Sequence, residues 1–463
     1  MSSGIRLAPR GAALAAAILL WLVPLSANGD GQAPPFVAGF TCLLPASDAA
    51  PSCEIAVSDD GAAWFVGLSV AGEKPGSLFV AKFLGGRFEP FASLPLSGPG
   101  TFRPCRLAML SGQAWVAGTF SGIVHIAGKT LRSRGDSDIF LCGVSLGSGK
   151  CVFLESFGGA GRDVVTGLCA SSAGIYFCGS VECGACFRDS YVGNKDVHCY
   201  YVARYTPTDG KLTLISGSAK NENSEALALC RDEDGTVWVG GSFFNCTKIG
   251  SKQYDAPESG GSPAFVAKLA VDLKPVAVFV SSPEGGSWDR PLCIAPDRKG
   301  GCYYAGLFTT SEGYVCNRFR DDVPGMSRMT GFVARIDSEC LPVSRTIFPA
   351  GEASWVEALL PLEGGRLFIA LGAVGTVRMP GLISAPIEGK GEIQTVLAIF
   401  GSDLDLSRHT RIAASGCCVP RGAVRTGWGS FLVLCAFRGA IERDGFSAKS
   451  QDYCKFASFL STE

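Results

Sequence analysis

The residues able to do chemistry fall into a few groups. Arg103, Arg162, Asp163, Asp289, Arg290, Glu357 and Arg421 punctuate segments that link one apolar run to the next, and Arg318, Arg320, Asp321 and Asp322 share one long segment. Guanidinium and carboxylate groups on long loops of a rigid scaffold serve recognition. The same groups can instead cap turns and pair locally. Cys183-Gly184-Ala185-Cys186 is followed by His198 and Cys199. The Cys-x-x-Cys alone would suit a redox pair or half a zinc site, and His198 and Cys199 bring the candidate zinc ligands to four. Redox work asks for a helix start and this segment lies between candidate strands, so disulfides are the expected use, and no metal is assigned. Adjacent Cys417 and Cys418 are expected to face opposite sides of a strand and to find different partners. Arg134-Gly135-Asp136-Ser137 has the composition of an integrin ligand, yet a Gly and an acidic residue recur there as part of a repeat. Asp232-Glu233-Asp234-Gly235 lacks the spacing of an aspartate box and reads as a plain turn.

Catalytic patterns are sparse. Only His125, His198 and His409 could serve as a base in a nucleophile triad, and no Gly-x-Ser-x-Gly elbow surrounds a serine. Carboxylates are present, but no spacing selects a pair for glycoside chemistry. No cofactor motif is evident.

The chain is built for export. Arg6 and Arg10 precede an apolar run from Ala12 to Val23, then Ser26 and Ala27, which reads as a signal peptide over 1–27. The run is too short to span a bilayer, so no transmembrane segment is expected after its removal. All 20 cysteines lie beyond it, which in a secreted or lumenal protein reads as a disulfide framework. Asn245-Cys246-Thr247 is a glycosylation sequon. A net charge of −1 leaves no basic surplus to neutralise phosphates, which argues against nucleic acid as partner.

The elements that would position these residues recur seven times. Turn glycines stand at Gly61, Gly112, Gly174, Gly235, Gly300, Gly365 and Gly429. Aromatic-x-x-Gly runs follow as Trp64/Gly67, Trp115/Gly118, Tyr176/Gly179, Trp238/Gly241 and Tyr303/Gly306, degrading to Phe368/Leu371 and Leu432/Cys435. Runs of the Phe-Val-Ala-Lys-Phe type start at Phe79, Phe140, Tyr201, Phe265, Phe332, Val396 and Phe456. Each copy reads as a turn, a second strand and a third strand, with a fourth strand after it. The expected architecture is all-β: one seven-bladed β-propeller over 28–463, with blade cores near 53–95, 103–158, 166–217, 226–281, 292–348, 356–413 and 423–463. The strand over 36–44 is expected to complete the last blade and close the ring, which removes sheet edges. An open solenoid is the alternative.

The stretch WVAGTFSG…LRSRGDSDIFL…FLESFGGAGRDVVTGL…GIYFCGS, over 115–180, resembles the β-propeller repeat family called SBBP. The resemblance implies a propeller fold and an exported location, and little chemistry. Four long loops, 182–198, 244–262, 309–330 and 375–394, would share one rim. The expected function is therefore a non-catalytic scaffold that binds a protein or glycan there. A propeller hydrolase or lyase acting on carbohydrate is the second reading, and a surface-coat component the third. A pocket in the central channel with converging carboxylates would favour the enzyme. A flat rim with exposed aromatics would favour protein binding.

Overall fold

Each described turn glycine sits at the hairpin between two strands, and each Phe-Val-Ala-type run lies inside a strand. The computed structural model describes residues 19–20, 37–42, 53–71, 74–84, 87–193, 197–258, 260–281, 288–309, 329–380, 387, 393–412, 417–425, 430–443 and 446–462. The chain is all-β. Among the described residues the one helical element is a 3-10 turn, Glu363–Gly365.

Antiparallel pairing of successive strands builds one unit after another. Strand β1 (Leu19–Leu20) pairs with β2 (Val37–Cys42). The first unit is β3 (Cys53–Val57), β4 (Ala63–Ala71), β5 (Lys74–Leu84) and β6 (Arg87–Ser97). The second opens with β7 (Thr101–Leu110) and β8 (Gln113–Ser121). A hairpin, β9 (Ile123–Ile126) and β10 (Lys129–Arg132), leaves it to extend β6 of the first unit, and β11 (Asp138–Ser145) and β12 (Cys151–Gly159) complete it. The third has β13 (Val164–Ser171) and β14 (Gly174–Glu182), then the hairpin β15 (Ala185–Phe187) and β16 (Ser190–Val192), which extends β12. Strands β17 (His198–Thr206) and β18 (Lys211–Ser216) finish it. The fourth is β19 (Ser224–Arg231), β20 (Val237–Phe243), a separate hairpin of β21 (Cys246–Ile249) and β22 (Lys252–Asp255), then β23 (Ala264–Leu269) and β24 (Pro275–Val280). The fifth is β25 (Trp288–Pro296), β26 (Cys302–Thr309), β27 (Met329–Ile336) and β28 (Pro342–Phe348). The sixth is β29 (Ala353–Pro361), β30 (Leu367–Val374), β31 (Ile393–Phe400) and β32 (Leu406–Ile412). The last has β33 (Cys417–Arg425), β34 (Ser430–Arg443) and β35 (Phe446–Thr462), and β2 pairs with β35 as its fourth strand, Val37 opposite Leu460 and Cys42 opposite Phe456.

The first strands lie side by side in chain order: β3 touches β7, and the contacts continue through β13, β19, β25 and β29 to β33, which also touches β3. The core sits between successive sheets. Trp64 and Val80 of the first unit pack with Val116 and Phe140 of the second, and Trp115 and Leu141 of the second with Phe177 and Tyr201 of the third. Third strands are therefore apolar on both faces.

The repeat pattern has a physical account. Register places Trp64 opposite Lys82, Trp238 opposite Lys268 and Tyr303 opposite Arg335. Each cation lies over its ring, at 5.3, 5.3 and 5.9 Å from the centroid. Two of these cations also hold the turn: Lys82 pairs with Asp60 at 3.3 Å and Arg335 with Asp297 at 2.8 Å. The closing glycine of the second strand lies against the first strand. A Cβ on Gly241 would stand 2.2 Å from the Glu225 carbonyl oxygen.

The fifteen cysteines whose side chains are described carry free thiols, so none of the expected disulfides is formed among them. Cys183, Cys186 and Cys199 all carry free thiols: Cys186 lies in the hairpin that extends β12, and Cys199 is buried in β17 opposite Val181. Cys418 is buried with its thiol against the Thr395 hydroxyl at 3.5 Å, and Cys417 begins the same strand. Among the described residues no helix is long and apolar enough to cross a membrane. Of the expected leader over 1–27, only Leu19–Leu20 is described.

Candidate functional site

In six of the seven first strands the pairing with the second strand slips by one residue. The residues passed over are Cys105, Thr166, Leu227, Leu292, Glu357 and Arg421. Such a bulge bends the strand and re-aims a side chain. Five of the six line a cavity of about 240 Å³ that all seven first strands enclose. Glu54 of β3 and Arg106, next to the bulged Cys105, join them. Thr166, Leu227, Leu292, Glu357 and Arg421 each stand eight residues before their turn glycine.

The polar groups gather on one side. Arg106 Nη1 donates to Glu54 Oε2 at 3.3 Å and to the Cys105 carbonyl at 2.8 Å, and its Nε donates to the Thr166 carbonyl. The Ile55 amide donates to Glu54 Oε1 at 3.2 Å. That carboxylate lies over β33, where a Cβ on Gly422 would approach Oε1 to 3.1 Å. Thr166 Oγ1 donates to the Ala226 carbonyl at 2.6 Å and ties β13 to β19. Leu227 and Leu292 make the apolar side.

Burial governs the protonation of this site. It pushes Glu54 up to about 7; Arg106 and the Ile55 amide oppose the rise, and the nearby charge of Glu357 adds to it. Burial also raises Glu357, against the pull of Arg421 and Arg106. Two carboxyls and two guanidinium groups thus meet in one cavity, with one carboxyl able to donate or accept a proton near neutrality.

A second cavity, of about 410 Å³, lies between the β3–β4 and β7–β8 turns, lined by Asp60, Trp64, Lys82, Phe91 and Gln113 among others. Its cation is already paired with Asp60 and stacked on Trp64. The axial cavity is the stronger site because it joins residues from all seven units.

The sequence-selected residues divide between these places. Arg421 and Glu357 lie within first strands and face the axial cavity instead of occupying turns. Glu54 and Arg106 escaped the sequence reading. Arg103 is exposed on β7. The Arg162 amide donates to Glu182 Oε2 at 3.3 Å. Asp163 is buried, accepts from the Gly159 amide at 2.6 Å and the Glu182 amide at 3.2 Å, and is pushed up to about 7 by that burial. Asp289 accepts from the Ser281 hydroxyl at 2.6 Å, and burial raises it too. Arg290 pairs with Glu225 at 2.6 Å. Arg318, Arg320 and Asp322 lie outside the described residues. Cys183, Cys186, His198 and Cys199 do not converge as ligands, and among the described residues no group of three or more His, Cys, Asp or Glu is placed to hold a metal. Arg134 donates to the Gly158 carbonyl at 2.8 Å, so the Arg-Gly-Asp string is tied into its own sheet. The amide of Gly235 donates to the Asp232 carbonyl at 3.1 Å, with φ +88° at the glycine, as a turn requires. Asn245 is exposed, and Thr247 of its sequon is buried, donating to Glu222 Oε1 at 2.7 Å.

No known protein-family model matches the chain. No curated protein matches it either. Among solved structures, a protein of unknown function from Bacteroides caccae aligns at 10% identity and a TM-score of 0.33, covering 64% of this chain and 78% of that one. An exo-β-1,3-galactanase from Clostridium thermocellum aligns at 8% identity and a TM-score of 0.30, covering 88% of this chain and 95% of that one. Similarity this low carries neither fold nor function across.

Proposed function

We propose that this chain is an exported seven-bladed β-propeller whose axial cavity binds one sugar unit of a glycan. The observation that carries the reading is the convergence of Glu54, Arg106, Glu357 and Arg421 on one side of a cavity that all seven first strands enclose. Two guanidinium groups stand beside two carboxyls whose charge burial reduces, so the lining mixes donors with groups that can both donate and accept. A neutral polyhydroxylated ring meets donors and acceptors together, which is what sugar hydroxyls require. Leu227 and Leu292 supply an apolar wall for a ring face. The propeller reading is supported by seven repeats of one strand pattern, by the circuit of contacts among first strands, and by β2 as the fourth strand of the last sheet. This takes the glycan alternative of the protein-or-glycan expectation and moves its site from the rim to the axis.

A specific observation favours hydrolysis as a second reading. A carboxyl held near 7 beside a second carboxyl is the pairing that glycoside hydrolysis uses. One experiment separates the two. The mature chain is titrated by calorimetry against a panel of mono- and disaccharides, alongside Glu54→Gln and Glu357→Gln, with release of reducing sugar followed in parallel. Saturable binding weakened tenfold or more in both variants supports the binding site. Sugar release abolished in Glu54→Gln while binding persists moves the assignment to hydrolase. No binding and no release by the folded wild type removes the sugar reading.

A further inference from the structure

We propose that Cys142 and Cys151 form a covalent modification site, a dithiol that closes into a disulfide between the third and fourth strands of the second unit. Their sulfur atoms stand 3.7 Å apart. A disulfide needs about 2.05 Å, so closure asks the sulfurs to approach by under about 2 Å. The backbone brings them together through a slip in pairing: Gly143 faces Phe153, but Val144 faces Cys151, so the ladder shifts one residue beside both cysteines. Cys151 is the first residue of β12, directly after the turn that leaves β11. A strand end next to a turn yields more readily than a strand centre. Cys418 and Cys435 also hydrogen-bond each other, but both are fully buried and share the Thr395 hydroxyl, at 3.5 and 4.0 Å.

The two thiols are unequal, which sets the order of events. Cys142 is fully buried and Cys151 is half-buried. Cys151 is drawn down to about 7 by the hydrogen bond from Cys142 and by the positive charge of Lys129, and Cys142 is held up by the same bond and by burial. Cys151 is therefore the attacking thiolate. It attacks one sulfur of an external small-molecule disulfide, forming a mixed disulfide and expelling one thiolate of the oxidant. Cys142, losing its proton to that thiolate, attacks the Cys151 sulfur and expels the second. The protein loses two protons and two electrons, and the oxidant gains both.

The test uses the full chain, purified reduced and folded by circular dichroism. It is incubated with glutathione disulfide, its remaining thiols are blocked with iodoacetamide, and it is digested without reductant. The expected product is one species joining the Cys142 and Cys151 peptides, two hydrogens lighter than the reduced pair. Cys142→Ser is expected to trap Cys151 as a mixed disulfide with glutathione. Cys151→Ser is expected to leave Cys142 unreacted until the chain is unfolded. Recovery of both cysteines as alkylated thiols from the oxidised, folded wild type overturns the proposal, as does Cys142 joined to any other cysteine.

Discussion

At the residue scale the axial cavity turns on Glu54. Its folded-state carboxyl sits at about 7 against an ordinary 4.5, so the folded chain holds a proton there that the unfolded chain releases. The contribution to stability is fully present below about 4.5 and is lost as pH rises through about 7. Glu54→Gln removes this dependence. Its melting temperature relative to wild type is expected to rise between pH 4.5 and pH 8, with most of the change complete by pH 8. Thermal unfolding across that range checks it, and a difference that does not vary with pH would rule out a raised Glu54. Asp163, also near 7, titrates in both proteins and cancels in the comparison. The sequence offered half of this site. Glu357 and Arg421 stand out as charges in the repeat, and their offset from the turn glycine, shared with Thr166, Leu227 and Leu292, marks one structural position. Glu54 stands seven residues before its glycine and Arg106 six, so the offset does not find them. Their place follows from pairing register, which a sequence pattern of this kind does not encode.

At the element scale each unit is held by its turn as much as by its ladder. Asp297 accepts from the amides of Lys299 and Gly301 at 2.7 and 2.8 Å and from both Nε and Nη2 of Arg335, while nearly buried. Asp297→Ala leaves a largely buried guanidinium and two amides without this acceptor. The expected loss is about 2–4 kcal/mol in chemical denaturation; a loss below 1 kcal/mol would show that the turn holds without it. Gly241→Ala tests the other end of the same grammar. The added methyl meets the Glu225 carbonyl and the Phe265 ring, and overpacking of this kind costs about 1–3 kcal/mol. A variant as stable as wild type would show that β19 can move away. These strands were legible because turn glycines and Phe-Val-Ala runs come from backbone conformation and two-faced burial, both local to the repeat. The hairpins β9–β10, β15–β16 and β21–β22 were not. Their strands are three or four residues long, and two of the three are fixed by pairing to the preceding unit, which is a tertiary cause.

At the scale of the whole molecule the two ends of the chain meet in one sheet. Strand β2 pairs with β35, so the last unit takes its fourth strand from residues some four hundred positions earlier. In a ring this joint is the place where closure is either made or lost, because every other unit draws its strands from contiguous sequence. Without β2, the β35 edge exposes unpaired amides and carbonyls, and such an edge recruits other chains. A chain beginning at Ala46 is therefore expected to melt at a lower temperature than one beginning at Asn28 and to elute as concentration-dependent oligomers on size exclusion. A synthetic peptide spanning 36–44, added during refolding, is expected to restore the monomer by supplying the strand. Equal stability and a monomeric profile for the shortened chain would mean that β2 is an accessory to a fold complete without it. The succession of sheets would then have to close by contacts between β3 and β33 alone.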